Sequence, residues 1–294
     1  MGKKGKKAQA GKPKKLTPKD VGKRLDTLAK NVEEELEGAD LFAPLPPAED
    51  CAICLVPLPR FGPGTCYQVC CGNRICWACH KENEASINKQ NEEKSAGKKL
   101  ALTCPFCREP EPTCADEDFA RLRARCLQND RIALTVMGGL YRDGGLGKAK
   151  DDLKALDCYI RAVELGSSGA CVNIGNIYDK GDGVAVDKKK AAFFWRIGAT
   201  RGCAVARHNI GKSEYDSGNH EVAIRHWKIE AEAGYQPSLN KLKEIHNADG
   251  KKPGKEFIST EEMDTISRSG HEAQMEVKTE EREKHSGECH DMWI

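Results

Sequence analysis

The placement of cysteine constrains this chain more than any other feature. Between residues 51 and 107 stand three Cys-x2-Cys pairs, Cys51/Cys54, Cys76/Cys79 and Cys104/Cys107, and the adjacent thiols of Cys70 and Cys71 make a fourth pair. A Cys-x2-Cys turn aims two sulfurs at one ion, so the four pairs offer the eight thiolates that two closed tetrahedral Zn2+ sites require. Ligation by sulfur alone selects zinc over calcium or magnesium, which prefer oxygen. Disulfides are the competing use of these residues. They are not expected, because the lysine-rich N-terminus has no apolar signal core and the total of fifteen cysteines is odd. A segment this short and loop-rich has little core of its own, so metal is expected to contribute to its folding.

The runs Cys51-Ala-Ile-Cys54, Cys71-Gly-Asn-Arg-Ile-Cys76-Trp-Ala-Cys79 and Cys104-Pro-Phe-Cys107-Arg108, with a long loop after the first, resemble a RING finger over about a fifth of the chain. The resemblance implies a small zinc-stabilised α+β domain over 48–112 in which alternate pairs share a metal. Cys51, Cys54, Cys76 and Cys79 would hold one structural Zn2+, and Cys70, Cys71, Cys104 and Cys107 the other. Asn73 stands where many RINGs carry a histidine ligand, so Cys70 would supply that thiolate as in the all-cysteine variety. Cys66 and His80 are the alternatives for this position. The family further implies that Ile53, Pro105 and Phe106 form an apolar contact for a ubiquitin-conjugating enzyme. Arg108 matches the cation that bridges that enzyme and ubiquitin. Asn83 departs from the pattern, since many active members have tryptophan there.

Outside this segment the chain is uneven in charge. The 294 residues carry a net +2, yet residues 1–24 hold nine Lys and one Arg against one Asp. Residues 1–16 cannot bury enough apolar surface to fold and are expected to be a disordered basic tail. Over 17–47, Thr17-Pro18 supplies an N-cap and first-turn proline, and Val21, Leu25, Leu28, Val32 and Leu36 recur at helical spacing. That stripe must dock on something, and Pro44-Leu-Pro-Pro47 should end the helix as a stiff linker. No apolar run reaches the length of a membrane span, which points to an intracellular protein, cytoplasmic or nuclear. Nucleic-acid binding is not expected, because no basic stripe interleaved with aromatics appears on the folded part. Gly62-Pro63-Gly64 marks a turn in the first long loop, and a short helix is expected from residue 80.

From about Asp130 a repeat sets in. Ala133, Ala170 and Ala206 are each followed five residues later by Gly138, Gly175 and Gly211. Tyr159, Trp195 and Trp227 follow in each block, preceded at i−4 by Ala155, Ala191 and Ala223 and closed at i+7 by Gly166, Gly202 and Gly234. Periods of 36–37 residues, 32 in the last block, signal a helical solenoid. Small residues let two helices approach, the aromatic fills the gap between stacked hairpins, and the closing glycine ends the second helix. The pattern AxxxxGxxY, GDGVxxD and KAxxxW within 170–195 is similar to Sel-one-like repeats, cousins of tetratricopeptide repeats. An all-α hairpin solenoid is therefore expected over 116–249, opened by a helix from Asp116 to Leu127 and closed by a capping unit that starts at Ser238 and Leu242.

A C-terminal helix is expected over 255–285, with Phe257 anchoring its start, and a frayed tail over 286–294. Cys114, Cys126, Cys158, Cys171, Cys203 and Cys289 read as buried small hydrophobes. His208, His220 and His226 read as surface or groove residues. Function then divides in two. A RING-type ubiquitin ligase would recruit a conjugating enzyme through the zinc domain and a protein substrate through the repeats. A non-enzymatic adaptor would use both parts for protein binding and would need neither Ile53 nor Arg108.

Overall fold

The computed structural model describes residues 17–43, 45–58, 65–93, 100–248 and 253–275. The expected basic tail 1–16, the Gly62-Pro63-Gly64 turn, residues 276–285 of the C-terminal helix and the 286–294 tail with Cys289 lie outside them.

Thr17 opens α1 (Pro18–Glu33) with a reciprocal capping box. Its side chain accepts from the Asp20 N–H, while the Asp20 carboxylate accepts from the Thr17 N–H. Val21, Leu25, Leu28 and Val32 are all buried, and Leu36, in the 3-10 turn after the helix, packs beside them.

The solenoid follows as α3 (Ala115–Leu127), α4 (Arg131–Asp143), α5 (Asp152–Glu164), α6 (Ser168–Lys180), α7 (Lys188–Thr200), α8 (Ala204–Asp216), α9 (His220–Glu232) and α10 (Gln236–His246). Local signals set the ends. Asp130, Asp151, Ser167 and Asp187 cap α4 to α7 with their side chains. Gly166, Gly202 and Gly234, at φ +83°, +79° and +89°, take the left-handed turn after α5, α7 and α9. Within each hairpin the aromatic packs closely against the facing glycine. A β-carbon at Gly175 would stand 2.5 Å from Cδ1 of Trp195, and one at Gly138 or Gly211 would meet Tyr159 or Trp227 in the same way. The indole N–H groups are satisfied, Trp195 by Asn176 Oδ1 and Trp227 by the His208 carbonyl, both at 3.2 Å.

One apolar cluster runs from α1 through α8, so the stripe of α1 has its partner: it lies on α5 and α7 of the solenoid. Each fully buried Leu or Val there is worth about 1.5–3 kcal/mol. Polar pairs flank the contact: Arg24 with Asp157, Asp26 with Lys190 at 3.0 Å, and Glu35 with Arg201. A second cluster joins α9, α10 and α11 (Thr260–Met275).

The structure departs from expectation in three places. His226 is 2% exposed, not a surface or groove residue, because α9 turns it inward beneath Phe42. Cys114 is exposed, since it precedes α3 instead of lying on its packed face. Ile258 is buried beside α11 while Phe257 is 37% exposed, so the neighbouring residue anchors that helix. In the proline segment, Pro46 lies against Gly202 at the α7–α8 turn.

Candidate metal centre

Between α1 and α3 the chain forms β1 (Thr65–Tyr67), β2 (Arg74–Cys76) and α2 (Trp77–Glu93). The strands pair antiparallel, with Cys66 opposite Ile75. α2 starts three residues before the expected helix, directly after Cys76, and so carries Cys79 in its first turn.

The first and last cysteine pairs fold into the same knuckle. In the first, Cys51 N–H donates to the Val56 carbonyl at 2.9 Å and Leu55 N–H to the Cys51 carbonyl at 3.0 Å. In the second, Cys104 N–H donates to Glu109 at 2.8 Å and Arg108 N–H to Cys104 at 2.9 Å. Leu55 and Arg108, each just after the second sulfur, take positive φ of 57° and 64°. A residue outside glycine holds this conformation only where its surroundings impose it. Here the imposed turn brings the two sulfurs to one side. An antiparallel bridge closes each knuckle, Asp50 to Pro57 and Thr103 to Pro110.

The sulfurs assemble into two groups of four. Cys51, Cys54, Cys76 and Cys79 form one, and Cys70, Cys71, Cys104 and Cys107 the other, with the ligand atoms of each group within 4.8 Å of one another. Cys70 occupies the second group; Cys66 lies in β1 outside both, and His80 pairs with Glu84 at 3.4 Å. Sulfur separations are 3.9 Å for Cys51–Cys79, 3.8 Å for Cys54–Cys76, 3.9 Å for Cys71–Cys104 and 3.4 Å for Cys70–Cys107. A zinc ion with four sulfurs at about 2.3 Å in a tetrahedron sets neighbouring sulfurs about 3.8 Å apart. The donor set and its spacing therefore fit zinc, and they exceed the length of a disulfide bond of about 2 Å.

Hydrogen bonds prepare the groups for negative charge. Cys76 N–H donates to Cys51 Sγ at 3.2 Å, and Asn73 Nδ2 donates to Cys71 Sγ at 3.3 Å. Burial works to raise the Cys51 thiol, but the N–H groups of Cys54, Cys76 and Ile53 outweigh it and bring the pKa down to about 7. Burial and the neighbouring sulfurs push Cys70 and Cys79 upward instead. Four thiols packed this closely cannot all ionise without a cation among them.

Ile53 and Phe106 occupy the tips of the two knuckles, 40% and 50% exposed, with Pro105 half-buried and Arg108 exposed. Asn83, in the place of the tryptophan, donates from Nδ2 to the Thr103 carbonyl at 2.8 Å and ties α2 to the second knuckle. Sequence reasoning missed Leu55, which is 73% exposed beside Ile53. Its signal was present: the residue after the second sulfur of a knuckle takes the left-handed turn and points away from the core. It also missed the joint to the solenoid. The Tyr67 hydroxyl donates to Asp130 Oδ2 at 2.7 Å, Arg125 pairs with the same carboxylate at 2.6 Å, and Asp130 caps α4.

The family model that matches this chain is the Sel1 repeat, at residues 132–167 and 168–203, which correspond to the α4–α5 and α6–α7 hairpins. A sel1-like repeat-containing protein of Acanthamoeba polyphaga mimivirus is 28% identical over 74 residues, 25% of this chain and 14% of that protein. The crystal structure of a Sel1 repeat protein from Oxalobacter formigenes is 31% identical, covers 54% of this chain and 64% of its own, and has a TM-score of 0.46. A protective antigen of uropathogenic Escherichia coli displaying an SLR fold is 15% identical over 69% of this chain and 47% of its own, with a TM-score of 0.30. This chain thus spans a minor part of the mimivirus protein. Among the described residues no helix is long and apolar enough to cross a membrane. Residues 132–203 of this protein are Sel1 repeats, and repeats of this kind suggest a role in protein–protein interaction.

Proposed function

We propose that this protein is a RING-type ubiquitin ligase whose residues 48–112 hold two Zn2+ and receive a ubiquitin-conjugating enzyme, while the repeats receive the protein to be modified. The observation that carries this reading is the alternation of the cysteine pairs between two four-sulfur groups, with Ile53 and Phe106 exposed on the two knuckles that the groups would brace. Zinc, when bound, supplies a structural cross-link. The reaction is attack by a substrate lysine amine on the enzyme–ubiquitin thioester, forming an isopeptide bond and releasing the conjugating enzyme's thiolate. This chain's residues bind and orient. Ile53 and Phe106 offer the apolar contact, and the Arg108 fork offers donors to ubiquitin carbonyl groups in the productive complex.

Thioester discharge to free lysine, measured across a panel of conjugating enzymes, tests the reading. Ile53→Ala or Phe106→Ala should weaken enzyme binding by about 1–3 kcal/mol. Arg108→Ala should lower the transfer rate far more than binding, as expected of an interaction made mainly in the transition state. Absence of discharge with every enzyme, or a wild-type rate for Arg108→Ala, favours the non-enzymatic adaptor. One observation supports that second reading: Asn83 is spent on Thr103 and adds no aromatic surface beside the knuckles.

A further inference from the structure

The N-terminal region is attached to the solenoid in two different ways. Up to Leu36 the attachment is firm: α1 buries four apolar side chains, and Glu35 grips Arg201 with both carboxylate oxygens, at 2.5 and 2.8 Å. Beyond that point the chain turns across α9. Phe42 N–H donates to Asp40 Oδ1 at 2.8 Å and Ala43 N–H to the Asp40 carbonyl at 3.1 Å, a turn that presents the Phe42 ring. The ring stacks on His226 of α9, with centroids 4.6 Å apart and planes at 25°, and the Arg225 guanidinium lies 3.8 Å from its centroid. Four residues on, Pro46 fits the notch at Gly202, where a β-carbon would stand 2.6 Å from its Cδ. Arg207 is buried beside them and pairs with Glu230 at 3.3 Å.

This face of α8 and α9 has the parts of a peptide receptor: a flat imidazole for stacking, a cation over the stacked ring and a glycine notch for a proline. Its present occupant is shallowly seated. Phe42 is half-buried, Pro46 is exposed, and neither belongs to a core cluster. The same segment runs on to Glu49, which bonds Arg74 of β2 at 2.7 Å and Arg131 at 3.4 Å, so its release would loosen the chain leading into the cysteine module.

We propose that the face made by His226, Arg225 and Gly202 docks an extended segment of a partner protein with the pattern aromatic-x3-Pro, and that Phe42 and Pro46 occupy it until such a partner arrives. The inference rests on the reading of the repeats as a protein-binding surface. Firm docking of α1 keeps the internal segment at an effective concentration on the order of millimolar, so a free peptide competes poorly with it.

The probe is a fluorescent peptide of residues 38–48, titrated with the full chain and followed by anisotropy. Phe42→Ala should expose the face and tighten peptide binding by about tenfold or more over wild type. Pro46→Ala should do the same, which guards against a folding defect peculiar to one variant. Adding Arg225→Ala, an exposed position, to either background should weaken the peptide again, and a peptide lacking the phenylalanine should not bind. Equal affinity for wild type and both released variants, or indifference to Arg225→Ala, overturns the proposal. Ubiquitin discharge is a separate readout, so failure here leaves the ligase reading to its own test.

Discussion

Single residues decide how closely the hairpins pack. Gly175 shows it best, because a side chain there would meet both the Trp195 ring and the Ala191 carbonyl, the latter at 3.1 Å. Gly175→Val should cost about 1–3 kcal/mol, read as a lower urea midpoint with an unchanged slope; an unchanged midpoint would show that the crossing can widen freely. His226 gives the residue scale its pH dependence. Burial first, then Arg207, Arg225 and Arg196, holds its pKa down to about 4. The unfolded chain therefore takes up the proton first. The stability it contributes is complete above about pH 6.5 and is lost as pH falls from there toward 4, up to about 2 kcal/mol between pH 6.5 and 5. His226→Phe keeps a ring beneath Phe42 and should flatten that part of the stability profile relative to wild type. Equal slopes would mean that the imidazole is hydrated.

At the scale of elements, the start of α4 is where two parts of the protein meet. Asp130 caps α4 through Ile132 and Ala133 N–H at 2.9 and 3.1 Å, accepts from Tyr67 of β1 and pairs with Arg125 of α3. Burial works to raise this carboxyl, and the four donors outweigh it to leave the pKa below the usual range. Its contribution is thus present above about pH 4 and lost in stronger acid. Tyr67 lies beside Cys66 and pairs across the sheet with Arg74, so this hydrogen bond links the order of the cysteine module to the cap of the first repeat. Tyr67→Phe should lower the helical melting midpoint, by about 1–2 kcal/mol of stability. It should also make that midpoint less sensitive to chelator, as followed by circular dichroism. If chelation shifts both proteins equally, the joint carries no coupling.

For the whole molecule the prediction is two Zn2+ per chain, with unfolding of 49–110 on strong chelation while most helical signal survives. Metal analysis together with exchange protection of the Leu55 and Arg108 amides checks it. One ion per chain, or full protection in chelator, would refute it. Cys70→Ser should loosen one ion and leave the other bound. The order of assembly matters here, because α1 completes a core made mostly of helices more than a hundred residues later. The cysteine module lies between them in sequence, so it sits inside a closed loop of chain and is not a free appendage.

The amino-acid sequence alone determined whatever depends on neighbours a few residues apart. Thr17 and Asp20 cap α1, Gly166 and Gly202 end α5 and α7, and the spacing of Gly175 before Trp195 announces a hairpin, because caps, turns and helical periodicity are local physics. The four cysteine pairs were equally legible, though their spacing does not say which pairs share a centre. That interleaving came only from the family resemblance, and the fold groups the sulfurs the same way. Tertiary structure alone decided where the apolar stripe of α1 would dock, that His226 would be buried under Phe42, and that Asp130 would receive Tyr67 from 63 residues away. Each of these depends on surfaces distant in the chain meeting face to face, and no periodicity within one segment records what will lie opposite it.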